Sequence, residues 1–151
     1  MAGVSYLEDL KPGQTFGSGT LTVDADAITS FAAQFDPQPF HLDEASARET
    51  FFGGLVASGW HTAAMTMRLL VGGELRPAGG LIGAGVDELR WPRAVRAGDV
   101  LRVSTEVLEV RESKSRPDIG SIKLRTTTLN QDDEPVQVFV GNLIVQRRPR
   151  A

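Results

Sequence analysis

The chain of 151 residues contains no cysteine, so disulfides, thiolate nucleophiles and cysteine-based zinc sites are excluded. Histidine is scarce as well: His41 and His61 are the only two, and any imidazole chemistry must come from one of them. No apolar run approaches the roughly 18 residues needed to span a bilayer, and no membrane partner is expected. Positive charge is not in excess: 16 Lys and Arg stand against 19 Asp and Glu, for a formal net charge of -3. That balance gives no basis for a nucleic-acid partner. The one basic cluster, Arg147, Arg148 and Arg150 around Pro149, reads as a solvated tail or a weak attractor of an anionic ligand. The opening stretch MAGVSYLEDLKPGQ carries acid early and lacks the basic-then-apolar order of a secretory signal, so a cytoplasmic protein is expected.

What is present is ordinary globular composition, with 41% apolar and 23% charged residues, enough for one domain over 1–151 with a single real core. The termini, 1–9 and 147–151, are expected to be loosely ordered. The two halves differ in period. From Asp24 the spacing of Ile28, Phe31, Ala32 and Phe35 predicts a short amphipathic helix, N-capped by Asp24, ending before Asp36-Pro37. Pro37 to His41 holds two prolines and is expected to be a stiff extended loop. Asp43 caps a second short helix over about 44–50. Ser58 or Gly59 starts a third helix of about a dozen residues, small or apolar nearly all round, stopped by Gly72-Gly73 and expected to be buried.

Beyond the turn-rich segment 76–80 the period becomes two. Strands are predicted over about 82–91, 100–112, 121–130 and 136–146, with a further one near 15–22. The order strand, helices, then four long strands contains no βαβ alternation. It predicts an α+β domain in which an antiparallel sheet of about five strands wraps one long central helix.

Asp36 and His41 are the candidate catalytic pair. A carboxylate and an imidazole on one stiff segment can hydrogen-bond a single water, activate it and later return a proton. The competing reading is a turn-capping Asp36 beside a surface histidine. The wider run FDPQPFHLDEASARETFFGGLVASGWHTAAM resembles the signature of the MaoC-like dehydratases, which include (R)-specific enoyl-CoA hydratases. The matching features are Asp36, Pro39 two residues before His41, His41 itself, Leu42-Asp43, Phe52-Gly53-Gly54 and the Ala57-Ser58-Gly59 step into the helix. The later run GAGVDELRWPRAVRAGDVL is similar to that family's first long strand and the turn after it.

The resemblance implies a hot-dog fold and a site at a subunit interface of homodimers or trimers of dimers. It implies reversible hydration of a trans-2-enoyl thioester to an (R)-3-hydroxyacyl thioester. Asp36 and His41 would be catalytic, and the Gly59 amide would form the oxyanion hole, where a helix start favours negative charge. A glycine there would also let the thioester carbonyl approach closely. No cofactor is implied beyond coenzyme A as part of the substrate. One departure stands out: where some members of the family carry Ser about eight residues past this glycine, this chain has Met67, a residue unable to act as a full polar partner. Met67 is therefore an expected substrate contact that alters acyl preference. Arg93 and Arg96 are expected to meet the carrier's phosphates.

Other residues carry plainer expectations. His61 is expected to pack or cap near the helix start, or else to shape the ligand site, and no metal site is expected around it. Gly83 and Gly85 mark a bulged strand rather than a dinucleotide fingerprint. Glu88 and Arg90 are read as structural or interface residues. Two alternative functions remain open: an acyl-CoA thioesterase, disfavoured by the lack of an acid on the central helix, and a non-catalytic acyl-thioester binder.

Overall fold

Asp24 starts the first helix as its sequence predicts: its side chain accepts the Ala27 N–H at 3.2 Å, opening α1 over Ala25–Phe35. This is a computed structural model, and it describes residues 3–150. Two very short helices follow, α2 (Pro39–Leu42) and α3 (Glu44–Ala47), and then α4 (Gly59–Val71). The first of these corrects the extended loop expected from Pro37 to His41. Pro39 occupies the first helical turn, where its missing N–H is unpaired anyway and its fixed φ suits the helix. The helix capped by Asp43 ends at Ala47, three residues short of expectation.

Two short strands, β1 (Thr15–Phe16) and β2 (Leu21–Thr22), both pair with β4 (Val100–Glu112), replacing the single strand expected at 15–22. The others are β3 (Ile82–Arg90), β5 (Ile119–Leu129) and β6 (Pro135–Gln146). All pair antiparallel, in the order β1-β4-β5-β6-β3, with β2 beside β1 on the same neighbour. Register shifts in β3 fall between Gly83 and Gly85 and again between Val86 and Glu88, so the glycine pair does mark a bulge. Glu88 and Arg90 face each other across 3.9 Å on the exposed strand.

The core lies between α4 and the sheet. Met65, Leu69 and Leu70 of α4 pack with Leu101, Val103 and Val136. Burying each such side chain stabilises the fold by about 1.5–3 kcal/mol. The helix is not buried all round, as its composition suggested. His61, Thr62, Met65, Thr66, Leu69 and Leu70 turn inward, while Trp60, Met67 and Val71 are exposed on the single chain. No helix of the described residues is long and apolar enough to cross a membrane.

The termini also depart from expectation. Leu7 and Leu10 are buried in a second apolar cluster with Val107, Ile122, Leu124 and Val145. Arg148 then grips both Asp9 oxygens, at 2.6 and 2.7 Å, and Arg147 Nε donates to Glu8 at 3.1 Å. Two leucines among acids give the N-terminal segment something to bury, and the acids give the arginine tail something to hold. Met1, Ala2 and Ala151, at the extremes of the segments expected to be loose, lie outside the described residues.

Candidate active site

Asp36 is the C-cap of α1, and His41 lies in the α2 turn that follows. The backbone between them is tight: Asp36 O accepts from Gln38 N at 2.8 Å, and Gln38 O from His41 N at 2.9 Å. This brings His41 Nε2 to 3.3 Å from Asp36 Oδ2. The far side of the imidazole is fixed by Nδ1, 2.7 Å from the Val56 carbonyl oxygen. A carbonyl oxygen only accepts, so Nδ1 carries the hydrogen. In the neutral ring Nε2 is then a lone pair pointing at a carboxylate. Two acceptors converging in this way suit the two hydrogens of one water molecule. His41 is only 5% exposed, so its orientation is set by packing as well as by Val56.

The carboxylate is held by groups that sequence reasoning did not assign to it. Ser58, wholly buried, donates its hydroxyl to Asp36 Oδ2 at 2.7 Å, and Gln38 Nε2 donates to Oδ1 at 2.5 Å. Burial alone would push the Asp36 carboxyl up. The bonds from Ser58 and Gln38, with His41 nearby, outweigh it and hold Asp36 below the ordinary carboxylate range. Asp36 is therefore a firmly ionised group. The available signal was Ser58 itself, recognised only as a possible helix start. Its oxygen also accepts Trp60 N–H at 3.2 Å, so one hydroxyl caps α4 and ties the cap to Asp36.

Gly59 is the first residue of α4, adjacent to Ser58 in the chain. Its N–H precedes the capped one and has no acceptor within the helix. The fold itself gives a reason for glycine here. A Cβ at this position would lie 2.6 Å from Trp91 Cε2, so the indole fills the space of a side chain.

The weaker candidates are placed elsewhere. Met67 lies eight residues along α4, about 12 Å at 1.5 Å per residue. It lines an apolar cavity of about 80 Å³ with Leu70, Leu81, Val86, Phe139 and Leu143. Arg93 is paired with Glu134 at 2.7 Å. Arg96 donates to the Phe52 carbonyl at 2.8 Å, securing the segment before α4. No contact brings either arginine to Asp36 or His41 among the described residues. His61 is buried against Phe31, the rings stacked with centroids 4.8 Å apart, and its Nδ1 has no partner among the described residues. Burial pushes its pKa down, favouring the neutral ring.

Comparison with known proteins adds a family to this geometry. The profile described as "MaoC like domain" matches residues 9–128. A crystal structure of a MaoC-like dehydratase from Rhodospirillum rubrum superposes with a TM-score of 0.93 at 54% identity, covering 97% of this chain and 99% of that one. R-Hydratase PhaJ1 from Pseudomonas aeruginosa superposes with a TM-score of 0.75 at 28% identity, covering 95% and 86%. A 3-hydroxybutyryl-CoA dehydratase from Methylorubrum extorquens is 31% identical over 113 residues, 75% of this chain and 70% of that protein. The sheet around α4 is accordingly the hot-dog fold, and the chain belongs to the MaoC-like dehydratase family.

Proposed function

We propose that this protein adds water reversibly across the double bond of a trans-2-enoyl thioester, giving an (R)-3-hydroxyacyl thioester. The observation that carries the reading is the convergence of His41 Nε2 and the ionised Asp36 carboxylate, 3.3 Å apart, beside the first amide of α4. The names of the R-hydratase and 3-hydroxybutyryl-CoA dehydratase relatives support the reaction class.

In this mechanism one water donates a hydrogen to each acceptor. Asp36 removes the proton it shares while the water oxygen bonds to C3 of the enoyl group. The C2–C3 π electrons move toward the thioester oxygen, where Gly59 N–H and the start of α4 stabilise the developing negative charge. Asp36 then returns the proton to C2, so water is consumed and no other reactant is needed. Reversal gives dehydration. His41 orients the water without changing its own proton count. The reaction needs no resident cofactor, and coenzyme A would enter only as part of the substrate. The acyl chain would run along α4 toward Met67. Arg93 and Arg96, each with guanidinium N–H groups to spare, would meet the carrier's phosphates.

The working unit would be a homodimer. The outer edge of β3 has no partner strand among the described residues, and Ile82, Val86, Met67 and Val71 lie exposed on β3 and α4. A nine-residue open edge with exposed apolar side chains invites pairing with a second copy. The experiment that tests the function is hydration of crotonyl-CoA, followed by loss of enoyl-thioester absorbance, in the native chain and in Asp36→Asn.

A further inference from the structure

Trp91 follows β3 and leans on the first turn of α4. A Cβ on Gly59 would lie 2.6 Å from Trp91 Cε2 and 2.8 Å from Cδ2 and Cζ2, so the indole covers the Gly59 Cα. The ring atom bonded to Cε2 is Nε1, and Nε1–H donates to Gln137 Oε1 at 2.9 Å. Gln137, on β6, is wholly buried. Its Nε2 donates to Thr66 Oγ1 at 3.2 Å, and Thr66 shares a 2.6 Å bond with Thr128 Oγ1 on β5. Thr66 lies two turns along α4, so this relay leaves the helix near its middle and returns to it at its start.

The amide of Gln137 has one workable orientation. Trp Nε1 only donates, so the glutamine must present its oxygen there and its NH2 to Thr66. Packing alone would be met by Leu or Met at this core position. A buried amide is costly unless both ends are satisfied, and here satisfaction fixes one rotamer of Trp91. On the other flank of the same turn, Ser58 is tied to Asp36 at 2.7 Å. The step Ser58–Gly59 is thus clamped between the carboxylate and the indole.

We propose, building on the hydratase reading, that Trp91 is a positioning residue that aims the Gly59 N–H, and that Gln137 and Thr66 act through it by locking the indole. Neither Gln137 nor Thr66 touches the reacting atoms. Their effect reaches the thioester oxygen only through the direction of one amide.

The test compares the full chain with Trp91→Phe, which keeps a ring but loses the N–H, and with Gln137→Met, which keeps the volume but loses the acceptor. Thr105→Val serves as control, because it removes a buried 3.0 Å hydroxyl pair with Thr126 that has no link to Trp91. Two readouts are taken: crotonyl-CoA hydration kinetics, and the 15N–1H resonance of Gly59 with its hydrogen exchange. Trp91→Phe and Gln137→Met should each lower kcat about tenfold with KM changed by less than about twofold, less than the 10²–10³-fold typical of losing an oxyanion donor. Both should also move the Gly59 resonance and speed its exchange, while Thr105→Val does neither. Folded Trp91→Phe with native kcat and an unmoved Gly59 resonance overturns the proposal, as do losses no larger than those of Thr105→Val. If the native chain hydrates no enoyl thioester, the hydratase reading fails and the Gly59 resonance alone decides: unmoved in both variants, it overturns the clamp.

Discussion

Ser58→Ala separates what one hydroxyl does for the fold from what it does for the site. The Ser58 hydroxyl gives a 2.7 Å bond to the Asp36 carboxylate and accepts the Trp60 N–H that caps α4. A hydrogen bond to an ionised partner contributes about 1.5–3 kcal/mol, and an N-cap about 1 kcal/mol. Truncation should therefore cost about 2.5–4 kcal/mol at pH 7, within reach of denaturant titration at constant m. The two parts differ in pH dependence. Asp36 is held below the ordinary carboxylate range in the folded chain. Its contribution is thus complete above the unfolded value near 4 and is lost as pH falls through the lower folded value. The cap has no such dependence. Titrations of native and Ser58→Ala chains downward from pH 8 should show the difference narrowing toward the cap plus a neutral hydrogen bond, about 2 kcal/mol. In an Asp36→Asn background the coupling of about 1.5–3 kcal/mol should shrink to that of a neutral pair, about 1 kcal/mol. An equal cost of Ser58→Ala at every pH, or an undiminished cost in the Asp36→Asn background, would refute the assignment of Ser58 to the carboxylate.

Three further outcomes are expected. His61 has a lowered folded pKa, so native stability should be full above the unfolded value near 6.5 and decline as pH falls below it. His61→Phe should remove that decline and gain about 1 kcal/mol at pH 5 by eliminating an unpartnered buried nitrogen, as read by thermal or denaturant unfolding. Met67→Ala should enlarge the apolar cavity beside α4 and raise kcat/KM for longer enoyl chains over crotonyl, by about fourfold per methylene accommodated, at about 0.8 kcal/mol each. Val86→Lys, on the exposed β3 strand, should convert a two-chain particle to a single chain in sedimentation and lower hydration with it.

The large features of this fold were legible because they rest on repeated local signals. The caps Asp24, Asp43 and Ser58, the stop at Gly72, the turn-bounded runs of β3 to β6 and the alternation along β4 and β5 each state their own element. Single-position chemistry was harder to read. Two prolines suggested an extended loop, yet Pro39 begins a helical turn, because the first turn tolerates proline as readily as a loop does. The ends looked free because Leu7 and Leu10 show their value only against Ile122 and Val145, far away in sequence. At the site, the spacing of Asp36 and His41 alone left a turn-capping reading open, and the pair stood out through the family resemblance of the run around it. Ser58, Gln38 and Trp91 were not assigned to it, since nothing in the sequence brings position 58 to 36 or position 91 to 59. Gly59 was singled out for its amide at the helix start; that an indole just past β3 fills the space of its side chain could not be read from the sequence.

The central claim is that Asp36, oriented toward the same point as His41 Nε2, activates a water for addition to an enoyl thioester. The most direct measurement is crotonyl-CoA hydration by the native chain and by Asp36→Asn, which keeps the shape and removes the base. The account predicts turnover by the native protein and a loss of about 10²–10⁴-fold in kcat in Asp36→Asn, with the fold intact. Hydration at the native rate by Asp36→Asn, or no hydration by the native chain at any acyl length, would contradict it.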